Sequence, residues 1–160
     1  MVRELIGAGA IALVALVVVL VFLSVRSKTR AQEQWLPKPQ PAVPGESIDV
    51  FYVTTVFADR PLDRIWAYGL GYRGKARVNA GAEGISLERD GERGFLIPSH
   101  AIVKIGSASA TLDKGVERDG LTSIEWQLGE ARVSTMLRFQ SAQLRKRFNE
   151  QTTREGAVNG

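Results

Sequence analysis

Residues 124–148, IEWQLGEARVSTMLRFQSAQLRKRF, contain the change of period that decides the fold. Ile124, Trp126 and Leu128 alternate with Glu125 and Gln127, and Gly129-Glu130 then turns the chain. Ala131, Val133, Thr135, Leu137 and Phe139 alternate with Arg132, Ser134, Met136 and Arg138. A period of two over so long a run predicts half-buried strands joined as an antiparallel pair. Directly afterwards the pattern changes. Ser141 is a helix-capping residue type, and the helix it starts sets Leu144 and Phe148 on one face and Arg145, Lys146 and Arg147 mainly on the other.

Working outward, shorter strands recur with turn signals between them. Ile48 to Val56 is rich in β-branched and aromatic residues, and Lys75 to Ala80 follows the glycines at 69, 71 and 74. Gly81 to Gly84 turns the chain into Ile85 to Arg89, where Ile85 and Leu87 alternate with Ser86 and Glu88. Asp90-Gly91 is a hairpin signal, Gly94 to Ile97 returns and Pro98 closes it, and Ile102 to Ser107 is a further strand. Pro61 to Trp66 offers Leu62, Ile65 and Trp66 at helical spacing and predicts a short helical turn. The polar stretch from Ser109 to Gly120 is a connection with room for one more short pairing, and Thr152 to Gly160 reads as a disordered tail. The fold class is therefore mainly β. About seven strands closed by one C-terminal helix is the element order of a small pleckstrin-homology-like (PH-like) barrel or sandwich over residues 48–150. A lipocalin-like or other small barrel is the competing arrangement.

At the other end, Leu5 to Val25 (LIGAGAIALVALVVVLVFLSV) carries no charge. As a helix it is about 31 Å long, the thickness of a bilayer's hydrocarbon core. The run is too long for a signal-peptide core, and Arg26, Ser27, Lys28, Thr29 and Arg30 make a poor cleavage site. Residues 1–26 are thus expected to be a transmembrane anchor. Arg26, Lys28 and Arg30 outweigh the short N-terminal flank, so the positive-inside rule places the N-terminus outside and the domain at the cytoplasmic face. Residues 27–47 read as a linker, extended from Leu36 to Pro44 by Pro37, Pro39, Pro41 and Pro44, with Trp35 at headgroup level beside the basic flank.

The formal charge of +4 lies mostly in this flank. Arg3, Arg26, Lys28 and Arg30 stand against Glu4 in the first thirty residues, and 17 basic and 16 acidic residues share the rest. The domain is nearly neutral, which argues against a nucleic-acid partner. With no cysteine, disulfides, thiolate metal sites and a Cys nucleophile are excluded.

Gly69-Leu70-Gly71-Tyr72-Arg73-Gly74 matches G-x-G-x-x-G in letters, but no strand–loop–helix unit surrounds it, so a tight loop is expected and not a dinucleotide site. The one histidine, His100, has no identifiable partner for a triad or metal site. Asp59, Asp63, Glu88, Asp90 and Glu92 sit in loops and on polar strand faces, with no sign of a catalytic pair. No enzyme activity, cofactor or metal is therefore expected. Arg73, Lys75 and Arg77 at i, i+2, i+4 would form a basic stripe on one strand face, with Arg60 and Arg64 upstream; this is the candidate site for an anionic lipid headgroup or a small phosphate ligand.

YVTTVFADRPLDRIWAYGLGYRGKARV (52–78), GISLERDG (84–91), FLIP (95–98) and the terminal strand–turn–strand–helix resemble a family of small actinobacterial membrane proteins. The resemblance implies one transmembrane helix carrying a PH-like domain, in a family often labelled as transporters or export proteins and often encoded beside pyrimidine-biosynthesis genes. The resulting expectation is a module that docks or scaffolds a protein partner at the cytoplasmic membrane face. Anionic-ligand binding and an accessory role in a transport system are the alternatives.

Overall fold

The computed structural model describes residues 2–107 and 121–154. Helix α1 (Val2–Glu33) precedes seven strands: β1 (Ile48–Phe57), β2 (Gly74–Gly81), β3 (Gly84–Arg89), β4 (Glu92–Pro98), β5 (Ile102–Ser107), β6 (Leu121–Leu128) and β7 (Ala131–Phe139). Helix α2 (Ala142–Arg154) follows. All strand pairs are antiparallel, in the order β4-β3-β2-β1-β7-β6-β5. The described strands do not close into a barrel, because β4 and β5 lie at opposite ends of that order.

Strand β1 sits at the middle of the sheet because it pairs along one edge with β2 and along the other with β7. Its register against β7 shifts between Tyr52 and Thr54, a bulge that adds twist to a sheet wrapped around one core. Beyond the bulge, Thr54 to Phe57 are all buried. The loop after β1 folds back there: Thr55 N donates to Leu70 O and Ile65 N to Thr55 O.

Phe95 lies between Tyr52, edge-on at 6.2 Å, and Trp126, stacked at 6.1 Å. Helix α2 packs on β2, β1 and β7 through Phe148, which is fully buried 5.3 Å from Phe139. Ser141 Oγ accepts from Leu144 N at 3.2 Å, the expected cap.

Four expectations need correction. Helix α1 does not stop near Val25; residues 26–33 contain no glycine or proline, and Thr29 Oγ1 bonds back to Val25 O, so the helix continues to Glu33. The proline-rich stretch is not a spacer standing off the domain. Leu36 is buried, Gln40 bridges to Leu96, Val43 N donates to Ser86 Oγ and Asn79 Nδ2 to Val43 O. Proline gives this segment an extended shape, which meets the β4 edge at Leu96 and then crosses the outer face of β3 and β2 at Ser86 and Asn79. Residues 61–66 form an irregular loop, because the bridge of Arg64 to Val56 pulls them into extended pairing. The helical turn comes later, at Ala67–Gly69. Thr152 is buried in α2, which runs to Arg154, so the tail begins later than the sequence suggests. The expected connection from Ser109 to Gly120 and the end of the chain fall outside the described residues.

Candidate functional site

The expected basic stripe is divided. Strand β2 begins at Gly74, so Arg73 precedes it. Lys75 and Arg77 share the exposed face while Ala76 and Val78 point inward. Arg77 is held by Glu88 at 2.8 Å, with Asp49 its register partner on β1. Lys75 stands beside Phe51. Arg60 belongs to another cluster, pairing with Asp63 at 3.1 Å and Asp59 at 3.5 Å while its guanidinium covers the Phe57 ring. Arg64 is half-buried in the same loop. Two of the five cations are thus already paired with carboxylates, and only Lys75 and Arg77 stand side by side on one strand face.

The glycine loop is structural. Tyr68 and Gly69 both have positive φ (55° and 73°), and a Cβ on Gly71 would strike the Trp66 ring. The loop's carbonyls point inward, where Arg89 and Tyr52 use them. His100 is exposed in a short turn after β4.

Sequence reading missed Arg89, although it continues the inward series Ile85, Leu87. It is 8 % exposed. Nη1 donates to Gly69 O at 2.8 Å, and Nη2 and Nε to Arg93 O at 2.7 and 3.1 Å. The guanidinium lies over the rings of Tyr52 and Phe95, at 5.0 and 5.2 Å. Burial lowers its pKa from the ordinary arginine value, while Tyr52 and Glu92 pull it back.

Beside it runs a buried chain of hydroxyls. Tyr52 Oη donates to Leu70 O at 2.7 Å, which uses its one proton. Thr55 Oγ1 must therefore donate to Tyr52 (2.6 Å), Thr135 Oγ1 to Thr55 (2.8 Å), and Trp126 Nε1 to Thr135 (3.0 Å). Every proton has one direction, which stiffens the core. Burial pushes the Tyr52 phenol up to about 12, against the lowering effects of Thr55 and Arg89. A raised phenol pKa means stability that is complete below the unfolded value near 10 and is lost as pH rises through the folded value. Unfolding free energy should fall by roughly 3 kcal/mol between about pH 10 and 12. Tyr52→Phe, compared by urea denaturation across that range, should remove this component and cost about 1–3 kcal/mol at neutral pH.

The base of α1 is built into the domain. Gln32 Oε1 accepts from the amides of Trp66 (2.6 Å) and Ala67 (3.1 Å), and its Nε2 donates to Arg64 O (3.1 Å). Tyr68 N donates to Glu33 Oε1, and the Tyr68 hydroxyl donates to Leu36 O at 2.8 Å. Burial, and then the nearby Glu33 carboxylate, push the Tyr68 phenol above its ordinary value. Trp35 stacks on Phe57 at 5.7 Å. This clamp gave no signal in the sequence, because a glutamine in a polar segment points to nothing in particular.

A second feature lies at the far end of the sheet. Among the described residues β5 pairs only with β6. A cleft of about 480 Å³ separates it from α2, lined by Ile105, Gly106 and Thr122 on the sheet and Arg145, Asn149 and Thr153 on the helix. Among the described residues a Cβ on Gly106 would meet only the Lys104 side chain, at 3.7 Å, on the face turned away from α2.

No curated protein matches the chain. A model of the bacterial PH domain-like family matches residues 31–153, from the last turn of α1 almost to the end of α2. The chain belongs to the bacterial PH domain-like family.

Proposed function

We propose that this protein is a single-pass, membrane-anchored docking module without enzymatic activity, which binds an extended segment of a partner protein in the cleft between β5 and α2. The observation that carries this reading is the outer edge of β5, which has no strand partner among the described residues. Main-chain donors and acceptors on an edge strand take an added strand, and the neighbouring cleft takes its side chains. Arg145, Asn149 and Thr153 add a cation, an amide and a hydroxyl to the helix wall.

The anchor reading is supported by α1, which is long and apolar enough to cross a membrane and exposes its apolar side chains from Ile6 to Leu23. Its last turn is clamped to the domain, which favours a retained anchor over a cleaved signal. Arg26, Lys28 and Arg30 favour a cytoplasmic domain. An accessory role in a transport system would use the same cleft for a channel-forming partner, since one helix cannot enclose a solute path.

Anionic-ligand binding ranks second because Glu88 already occupies Arg77 and two aspartates occupy Arg60. The two readings separate by mutation. Ser107→Arg, on the side of β5 that faces α2 with Thr122, should fill the cleft and reduce co-purification of the partner with the full chain at least tenfold, while Arg73→Ala with Lys75→Ala leaves it unchanged. The reverse pattern would transfer the function to the basic residues.

A further inference from the structure

The clamp fixes how close the domain sits to a bilayer. Gln32 follows Val25 by seven residues of unbroken helix, a rise of about 10 Å. The headgroup layer extends roughly 5–7 Å beyond the hydrocarbon edge. No flexible segment intervenes: the proline-rich stretch comes after the clamp and is itself bonded to the sheet, at Leu96 and at Ser86. The loop from residue 58 to 73 is thus held at the level of the membrane surface, beside the helix that enters it.

The composition of this collar suits that position. Leu62 is 82 % exposed at the loop's turn, a large apolar side chain with almost no contact to its own domain. Trp35 and Tyr72 are about half exposed. Trp66 meets Tyr72 edge-on at 5.7 Å, and Arg64 and Arg73 lie in the same loop. Aromatic rings with an apolar side chain and cations are what the water–bilayer interface accommodates. The acids that pair with Arg60 leave this surface without a concentrated positive charge, so it fits a general bilayer surface and not one particular headgroup.

We infer that the collar formed by the base of α1 and the 58–73 loop is seated on the bilayer surface, with Leu62 entering the headgroup layer. The inference rests on the membrane-spanning part of the proposed function and is independent of the docking part. It also sets the domain's orientation. Strand β2 runs from Gly74, beside the collar, to Gly81, about 23 Å away, and α2 meets the distal end through the ion pair of Arg147 with Glu46. The cleft, where Ser107 pairs with Thr122, is therefore presented to the aqueous phase.

The chain contains no cysteine, so single labels can be placed without background. Leu62→Cys, Glu83→Cys and Val14→Cys, each carrying an environment-sensitive fluorophore, would be reconstituted as full chains in phosphatidylcholine/phosphatidylglycerol vesicles. The Leu62 label should emit at shorter wavelength and lose most of its intensity to a quencher attached at the lipid headgroup. The Glu83 label, in the β2–β3 turn, should keep nearly all of its intensity, and the Val14 label should respond only to quenchers deep in the acyl chains. A Leu62 label as wet as the one at Glu83, with Val14 in the acyl region, would overturn the collar while leaving the anchor intact. A wet Val14 label would overturn both.

Discussion

Arg89→Ala should destabilise the domain by about 3–5 kcal/mol, an unusually large effect for a charged residue. The guanidinium is 8 % exposed and donates to Gly69 O and Arg93 O, so its loss strands buried carbonyls and opens a cavity between the Tyr52 and Phe95 rings. Arg89→Lys should recover only part of the loss, since one ammonium cannot reach both carbonyls in the geometry of a planar fork. Urea denaturation of the detergent-solubilised protein, followed by tryptophan fluorescence, measures both variants. The effect should extend to the anchor. Arg89 fixes the carbonyl of Gly69, one residue from the Tyr68 amide that meets Glu33, so the clamp should loosen in Arg89→Ala. An Arg89→Ala variant of nearly unchanged stability would show that the loop is held by something else.

Phe148→Ala should cost a comparable 3–5 kcal/mol and should also remove function. Phe148 is fully buried and is the large apolar side chain of α2 that packs on Phe139. Without it, α2 keeps the half-buried Leu144 and the surface pair of Arg147 with Glu46, and surface ion pairs contribute little. The helix wall of the cleft would then be lost while β1–β7 stay paired. The result to look for is loss of partner binding together with faster amide exchange in residues 142–154, with β-sheet circular dichroism retained. Retained binding despite a released helix would place the docking surface elsewhere.

Most of the sheet could be read from the sequence because strand period and turn chemistry agree there. Ile124 to Phe139 alternates cleanly, Gly129 has the positive φ that its turn needs, and Ser141 caps α2 as its residue type suggests. Reading failed where the partner of a residue is distant in sequence. Ser86 looked like a solvent-facing strand residue and is covered by Val43. Helical spacing at Leu62, Ile65 and Trp66 yielded to pairing between Arg64 and Val56. The shared face of Lys75 and Arg77 was legible, but Arg73 falls before the strand and the carboxylate across from Arg77 comes from another strand. Gln32 was invisible for the same reason: its three bonds all go to a loop more than thirty residues away. Arg89 was the one missed residue with a local signal, since the alternation of β3 already pointed it inward.

The central claim, that the β5–α2 cleft holds a partner segment, is tested most directly by a photo-crosslinking residue placed at Asn149 in the full chain in intact membranes. The expected result is one adduct of discrete mass from Asn149, absent when Ser107→Arg is combined with it and absent when the crosslinker is moved to Lys75. An adduct from Lys75 with none from Asn149, or an Asn149 adduct that Ser107→Arg does not affect, would contradict it.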